Sequence, residues 1–434
     1  MKISVTCAGL LLAIALGAMA PAAALAQDGV ADPDAKCLRC HSKNLKKSLA
    51  DGEKLSLHVS TEDFAQSAHN VIGCTGCHRE VAKADRHPSR EPIATHREFS
   101  LAQNETCRQC HSADFKAYKE SIHANLAAHG STDTPVCSDC HSAHAVQKMA
   151  VFKPKSGETC GNCHQDIYQA YEQSVHGQAV AHGNVIRDSR VQAPSCSDCH
   201  KAHDITAVAA SDYLRSTCLN CHDNAASRHS KWLPNSGMHM TSVACAACHS
   251  PTADRRVDLQ LFDKATGEPI GSKDDLAGFG NRLSEVEAKG DLDAVELWKL
   301  VRQASRDGTP TKVTLRGRME VTNGVDAHRI APKGEAVRSC ETCHEGGSAG
   351  FRNVTVSIST PDGRKQRFNA DGEVLSSAIS VDSLGEFYAP GGTRIRLLDG
   401  LLVLALVGGL AIPVGHITLG KILRKKRSGN SESE

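Results

Sequence analysis

Two stretches of the chain share one pattern, TCRQCHSADFKAYKESIHANLAAHG at 106–130 and TCGNCHQDIYQAYEQSVHGQAVAHG at 159–183. Each is followed by a second related stretch, PVCSDCHSAH at 135–144 and PSCSDCHKAH at 194–203. In both copies a CxxCH motif precedes an S-x-H motif, and twelve residues separate their histidines. Weaker copies lie at 37–78 and 218–249, so the pattern predicts four repeated units with two CxxCH motifs each.

Nine CxxCH motifs, numbered one to nine in chain order below, contain 18 of the 19 cysteines, and the remaining Cys7 lies near the N-terminus. Two thiols on one helical turn can each add to a porphyrin vinyl group, and the next histidine can then bind the iron. A disulfide framework does not require a histidine after every second cysteine, and structural zinc in paired CxxC clusters does not require one either. The pattern therefore predicts nine covalently attached haem c groups. The predicted thioether cysteines are Cys37, Cys40, Cys74, Cys77, Cys107, Cys110, Cys137, Cys140, Cys160, Cys163, Cys196, Cys199, Cys218, Cys221, Cys245, Cys248, Cys340 and Cys343. The predicted proximal iron ligands are His41, His78, His111, His141, His164, His200, His222, His249 and His344.

The histidines outside the motifs are candidates for the distal iron ligand. His144 and His203 each follow a motif histidine by three residues. Neighbours on one helix face cannot bind opposite faces of the same porphyrin, so we expect these two to reach another haem. The S-x-H histidines and His239 recur once per unit, which favours the same role. The predicted distal ligands are His69, His123, His144, His176, His203, His239, His96, His87 and His328. His58, His129, His182 and His229 stay open as ligands, loop residues or contacts of haem propionates. Because methionines are few, we expect bis-histidine haems of low potential.

The two ends of the chain predict export and membrane attachment. An apolar stretch followed by Ala24-Leu25-Ala26 predicts a signal peptide over 1–26. Near the other end, 397–420 is apolar enough for a transmembrane helix, although a buried helix of a soluble protein has the same composition. The basic tail at 421–434 predicts a cytoplasmic C-terminus, which leaves the bulk of the chain in the periplasm at the inner membrane. His416 lies within this span, either as an interfacial residue or as a contact of a partner's cofactor site.

The fold class that we predict is mainly α and irregular, with short helices around a chain of haems. This eight-haem domain covers 27–250. We expect a small α+β region with the ninth motif over 251–395, because 257–261, 312–321, 353–359 and 364–369 alternate like strands and 292–304 is amphipathic. A single transmembrane helix then ends the architecture. Aromatic residues make up only 4% of the chain, so porphyrins are expected to fill much of the interior.

The repeats, with CSDCHxAH closing each pair of motifs, resemble the periplasmic multihaem cytochromes with doubled CxxCH motifs and, distantly, the NapC/NirT-type cytochromes. The C-terminal anchor and the ninth motif are similar in layout to the cytochrome c subunits of quinone-linked cytochrome b/c complexes. The anchor of NapC/NirT-type proteins lies elsewhere in the chain. The resemblance implies electron flow between a membrane cytochrome b or quinol-oxidising subunit and periplasmic cytochromes, a reductase or an outer-membrane conduit.

The expected function is electron transfer in anaerobic-type respiration. The alternative is a multihaem oxidoreductase that acts on a small nitrogen or sulfur oxyanion at a haem with an open distal position. All nine motifs end in histidine, which does not favour the lysine-ligated catalytic haem of some such enzymes. A haem-containing sensor or scaffold is a third possibility. The formal charge of +1 becomes negative once haem propionates are added, and no nucleic-acid partner is expected.

Overall fold

A computed structural model describes residues 32–81, 83, 87, 92–148, 158–182, 193–205, 211–270, 277–290, 292–307, 313–360, 364–379, 384–385, 392 and 396–430. The predicted signal peptide over 1–26 lies outside the described residues. Two compact units are present. The first contains the described residues up to Pro92 together with Ala143–Gln147, and the second contains Ile93–Ser142 and everything from Lys148 onwards.

Short helices dominate the part of the chain that contains motifs one to eight. The described α-helices are Asp32–His41, Thr61–Gln66, Gly73–Cys77, His96–Arg108, Ser112–Lys119, Ile122–Ala128, Cys137–His141, Glu158–Gly161, Gln165–Gln173, Val175–Ala181, Cys196–His200, Ser211–Cys221, Ala225–His229, Ser236–Ser242, Cys245–His249, Ala277–Glu287, Ala294–Asp307, Gly324–His328, Glu341–His344, Ala349–Arg352 and Arg396–Asn430. The 3₁₀ turns Asn70–Ile72 and Gly372–Leu375 accompany them in the described part of the chain. The predicted combination of short helices, a small sheet region and one C-terminal apolar helix is confirmed.

The serine of the S-x-H motif explains why a new helix begins there. The Ser121 hydroxyl accepts a hydrogen bond of 3.3 Å from the Ala124 amide, and the Ser174 hydroxyl accepts one of 3.1 Å from the Gly177 amide. Each serine is therefore the N-cap of the helix that holds the motif's histidine. The repeated serine thus fixes the start of the helix and, with it, the position of the histidine in its first turn.

A tyrosine in each strong repeat ties the first helix to the second CxxCH motif. The Tyr118 hydroxyl donates to the Pro135 carbonyl at 2.8 Å, and the Tyr171 hydroxyl donates to the Pro194 carbonyl at 2.7 Å. Both prolines lie two residues before a CSDCH motif. These tyrosines therefore position a motif as well as packing in the repeat.

Seven strands form two sheets within the described ranges. They are β1 (Lys46–Ser48), β2 (Lys54–Ser56), β3 (Arg255–Asp263), β4 (Val313–Val321), β5 (Val354–Ser359), β6 (Lys365–Ala370) and β7 (Leu384–Gly385). β1 and β2 form an antiparallel hairpin. The other five have the order β6-β5-β3-β4-β7, with β3 antiparallel to β4 and parallel to β5. The alternation of apolar residues in the sequence thus predicts the positions of β3 to β6.

One face of the five-stranded sheet forms the main apolar core. Val257, Leu259 and Leu261 alternate along β3 and are almost completely buried. The helices Ala277–Glu287 and Ala294–Asp307 cover the core with apolar side chains, including Leu283 and Leu297. Each such side chain contributes roughly 1.5–3 kcal/mol when fully buried. This region is therefore stabilised by side-chain packing, unlike the motif-rich part before it.

The same sheet contains a buried polar network around Asp258. This carboxylate is fully buried and accepts hydrogen bonds from the Thr355 hydroxyl (2.9 Å) and the Ser357 hydroxyl (2.8 Å). The Lys365 ammonium lies 2.9 Å from the same carboxylate and 3.8 Å from Glu320. The network joins β3 to β5 and β6 and compensates the burial of its charges.

The C-terminal helix is long and apolar. Arg396–Asn430 has 35 residues, and its segment Leu397–Leu423 spans 27 residues, or about 40 Å of helix. Within the described residues it is the one helix long and apolar enough to cross a membrane. Its large side chains are exposed, with Leu404 at 72%. Exposure of this kind does not fit the alternative of a buried core helix.

Candidate haem-attachment site

Each CxxCH motif forms one turn of helix, which brings its two thiols and its histidine close together. In motifs four, six and eight the five residues are themselves the helices Cys137–His141, Cys196–His200 and Cys245–His249. In other motifs the backbone amide of the histidine donates to the carbonyl of the first cysteine. The His111 amide, for example, donates to the Cys107 carbonyl at 2.9 Å. The local fold therefore satisfies the spacing that covalent attachment to a porphyrin requires.

Among the ring contacts that the structure describes, eight join a motif histidine to a second histidine. The centroids of the two rings lie between 5.8 and 6.3 Å apart. The pairs are His41 with His87, His78 with His144, His141 with His203, His164 with His123, His200 with His328, His222 with His176, His249 with His229 and His344 with His239.

The spacing of these rings fits ligation from both sides of one metal ion. A metal–imidazole bond is about 2.0 Å, and the ring centroid lies a further ~1.2 Å behind the nitrogen. Two imidazoles on opposite sides of one ion therefore have centroids about 6.4 Å apart. Two rings in direct van der Waals stacking are closer than this. Among the described residues, no group of three or more His, Cys, Asp or Glu is arranged to hold a metal ion. A planar tetrapyrrole, which supplies four ligands itself and needs two more, fits the paired rings.

Burial keeps several of these imidazoles in the form that binds metal. The pKa of His78 and the pKa of His144 are both lowered, first by burial and then by neighbouring imidazoles. His123, His176, His200 and His249 show the same direction of pKa change for the same two causes. Because a lowered histidine pKa favours the neutral ring, the lone pair that binds a metal is available at neutral pH.

Backbone hydrogen bonds fix the orientation of several of these rings. Nδ1 of His328 lies 2.7 Å from the Gly324 carbonyl, and Nδ1 of His229 lies 2.8 Å from the Ala225 carbonyl. Nδ1 of His41 lies 2.8 Å from the Leu57 carbonyl. When Nδ1 donates to a carbonyl, Nε2 is left as the nitrogen that can bind metal.

Most of the predicted distal histidines belong to the described histidine pairs. Seven belong to the eight pairs: His87, His123, His144, His176, His203, His239 and His328. His69 is half-buried at the N-cap of the 3₁₀ turn Asn70–Ile72, and His96 is exposed at the start of its helix; neither is a member of these eight described pairs. His229 is a member, although the sequence analysis left it open beside His58, His129 and His182.

The turn after each CSDCH motif explains why the histidine three residues later lies near the histidine of a different motif. Ser142 has φ 60° and Lys201 has φ 51°, both in the left-handed region. Each ends its helix directly after the motif histidine. The chain therefore reverses direction before His144 and His203, and these side chains reach His78 and His141.

Polar side chains outside the motifs hold the two motifs of a unit together. The Asp34 carboxylate accepts from the Cys74 amide at 2.7 Å, and the Asn104 amide oxygen accepts from the Cys137 amide at 3.2 Å. In both cases the acceptor lies three residues before the first motif of the unit and caps the second motif. An Asp or Asn three residues before the first cysteine is thus a sequence signal for this contact. The residue type alone does not identify it, because the offset must also be known.

The first cysteines of paired motifs are neighbours in space. The Cys107 thiol raises the pKa of the Cys137 thiol, and Cys160 and Cys245 do the same to Cys196 and Cys218. In the first pair of motifs, burial, Asp34 and the Cys37 thiol together raise the pKa of the Cys74 thiol to about 12. Paired motifs in the sequence are therefore paired attachment sites in the fold.

Comparison with known families agrees with this geometry. A family model described as "Doubled CXXCH motif" matches residues 127–168, and one described as "Cytochrome c554 and c-prime" matches residues 159–250. Together these matches include motifs four to eight. No curated protein and no solved structure matches the chain. The motifs and the family matches support a multihaem c-type cytochrome, with haem c and its iron attached covalently through CxxCH motifs of the doubled type.

Proposed function

We propose that the chain is a membrane-anchored periplasmic cytochrome with nine haem c groups, and that it transfers electrons without transforming a substrate. The observation that supports this most strongly is the set of eight histidine pairs with ring centroids 5.8–6.3 Å apart. An iron held by two imidazoles has no open position for a substrate, whereas a catalytic haem requires one. When bound, each haem supplies a reversible one-electron couple.

The order of the attachment sites supports a continuous path for electrons through the second of the two compact units. The first cysteines of motifs three and four, five and six, and seven and eight lie near enough for each pair to shift the pKa of its thiols. Between the pairs, burial raises the pKa of Cys140, Cys199 and Cys248, and the neighbouring thiols of Cys160, Cys221 and Cys343 raise it further. Motifs three to nine thus form one series in chain order. A protein that only stored haem would not need such a sequence of neighbours.

We infer further that the C-terminal helix anchors the protein in the inner membrane, with the basic tail in the cytoplasm. A membrane cytochrome b or another quinol-oxidising subunit then exchanges electrons with the chain at the membrane. Periplasmic cytochromes, a reductase or an outer-membrane conduit exchange electrons with it on the other side. The apolar length of Leu397–Leu423 and the lysines and arginines after it support this arrangement.

Haem content and coordination test the first part of the proposal. Mass spectrometry of the mature holoprotein is expected to show nine haem additions and no free thiol among the motif cysteines. Electron paramagnetic resonance of the oxidised protein is expected to show low-spin haem throughout the eight paired sites. Tight carbon monoxide binding by one of these paired sites in the reduced wild-type protein would indicate the oxidoreductase alternative.

Reduction by quinol tests the proposed partner. The protein purified with its membrane partner is expected to be reduced by a quinol, and the isolated chain is expected to be reduced far more slowly. Reduction of the isolated chain at the same rate would place quinol oxidation on this chain and contradict the proposed division of roles.

A further inference from the structure

Arg255 is held in one place by the backbone that follows motif eight. It opens β3, and its Nε donates to the Ala247 carbonyl at 2.7 Å. Nη1 donates to the Ala253 carbonyl at 2.9 Å, and Nη2 lies 3.2 Å from the Pro251 carbonyl. These hydrogen bonds use three nitrogens of one planar group, so the charge has little freedom to move.

No carboxylate neutralises this charge among the residues that the structure describes, since Arg255 makes no ion pair there. The contrast with Lys365 is direct, because Lys365 lies 2.9 Å from Asp258 and 3.8 Å from Glu320. Arg255 is also only half exposed. An uncompensated cation that is partly shielded from water acts on its surroundings more strongly than an exposed one.

The position of Arg255 lies between motifs eight and nine. On one side, the Ala247 carbonyl that accepts from Arg255 Nε belongs to motif eight itself. On the other side, a Cβ added at Gly350, six residues after the histidine of motif nine, would lie 3.3 Å from the Arg255 Cβ and 3.7 Å from Met319 Sδ. The Cys343 thiol of motif nine lies 3.7 Å from the same Met319 sulfur. One guanidinium is therefore fixed against motif eight and close to motif nine.

A fixed positive charge stabilises a neighbouring group in the state that holds one more electron, and net charge is among the factors that set haem potentials. We propose that Arg255 is a positioning residue that orders the segment after motif eight beside that of motif nine and, through its fixed charge, raises the reduction potentials of the haems attached there. The inference rests on the proposed electron-transfer function and deepens it. Electrons are then favoured at the end of the series that precedes the membrane helix.

The test compares the full-length holoprotein with Arg255→Gln, which removes the charge, and with Arg255→Lys, which keeps it. Arg316→Gln is the matched control, because Arg316 lies on the same sheet, donates to the Gly267 carbonyl at 3.3 Å and stacks over Phe262. Spectroelectrochemical titration gives the potentials, haem-to-protein ratio reports attachment, and thermal unfolding reports stability.

Arg255→Gln is expected to lower the midpoint potentials of two haems and to leave the others unchanged. Arg255→Lys is expected to retain most of the wild-type potentials, and Arg316→Gln all of them. An assembled Arg255→Gln protein with wild-type potentials would overturn the inference, as would an equal shift of all haems. If Arg255→Gln does not assemble, Arg255→Lys decides: potentials lowered at motifs eight and nine despite the retained charge would refute a charge effect. Failure of the proposed function itself is visible separately, as an open haem site in the wild-type protein.

Discussion

Removal of the His328 side chain is the sharpest test of the paired-histidine geometry. His328 ends the helix Gly324–His328, and its ring centroid lies 5.8 Å from that of His200, the histidine of motif six. In His328→Ala we expect one iron per chain to lose its distal ligand and become high-spin, while the other sites stay low-spin. The reduced variant should then bind one carbon monoxide per chain at the paired sites, where the wild-type protein binds none.

His182 provides a control that matches His328 closely. Nδ1 of His182 lies 2.7 Å from the Gln178 carbonyl four residues earlier, as Nδ1 of His328 lies 2.7 Å from the Gly324 carbonyl. Each substitution removes one such hydrogen bond, worth about 1 kcal/mol, so the losses of stability should be similar. His182 is not a member of the eight described pairs, and His182→Ala should leave the spin state unchanged.

The assays are electron paramagnetic resonance of the oxidised proteins and carbon monoxide titration of the reduced ones, with haem content as the measure of assembly. His328→Met adds a second arm, because methionine can bind the same iron and raise its potential without opening the site. Fully low-spin haem in His328→Ala would refute ligation by His328. A high-spin haem in His182→Ala would show that proximity of rings in this structure does not identify the ligands.

Four further predictions concern stability and attachment to the membrane. Asp258→Asn leaves Lys365 buried beside only Glu320, at 3.8 Å, so chemical denaturation should show a loss of about 3 kcal/mol in the sheet region. Burial alone raises the pKa of Asp258, but the Lys365 ammonium and hydrogen bonds hold this pKa below its ordinary value. The contribution of Asp258 to the free energy of unfolding should therefore be complete above about pH 4. An acid titration should show it decrease as the pH falls through the lowered pKa. Tyr171→Phe should cost about 1 kcal/mol in thermal unfolding without changing haem content, because it removes one hydrogen bond to a carbonyl. A chain that ends at residue 395 should appear in the soluble periplasmic fraction, where retention in the membrane would contradict a role for the C-terminal helix as anchor.

Features with a local cause were predictable from the sequence. Alternating residues along 257–261 and 312–321 predict β3 and β4, because the side-chain period of a strand depends on neighbours in the chain. The spacing of three between His141 and His144 excludes a shared haem by helix geometry alone. The apolar span near the C-terminus is likewise a property of consecutive residues.

Features that depend on distant residues were not predictable. His229 lies seven residues after His222 but pairs with His249, and no repeat register marks it. The Asp258 network joins residues about a hundred positions apart, since it needs β3 and β5 to lie parallel with β4 on the other side. Single positions in one sequence do not reveal such pairings, because many polar residues lie on strands without meeting each other.

The motif-rich part of the chain and the sheet region are stabilised by different means, and this difference explains the low aromatic content. Only ten apolar side chains are buried among the described residues before 251, whereas 21 are buried in the shorter stretch from Ala253 to Leu375. The motif-rich part therefore cannot depend mainly on an apolar core. Its paired histidines come from different segments, so each ligated iron would act as a cross-link between them, in addition to two thioether bonds. Cross-links of this kind restrict the unfolded chain and stabilise short helices that propensity alone does not maintain. The sheet region has a side-chain core of its own, and it can therefore hold motif nine and Arg255 in place without relying on the same cross-links.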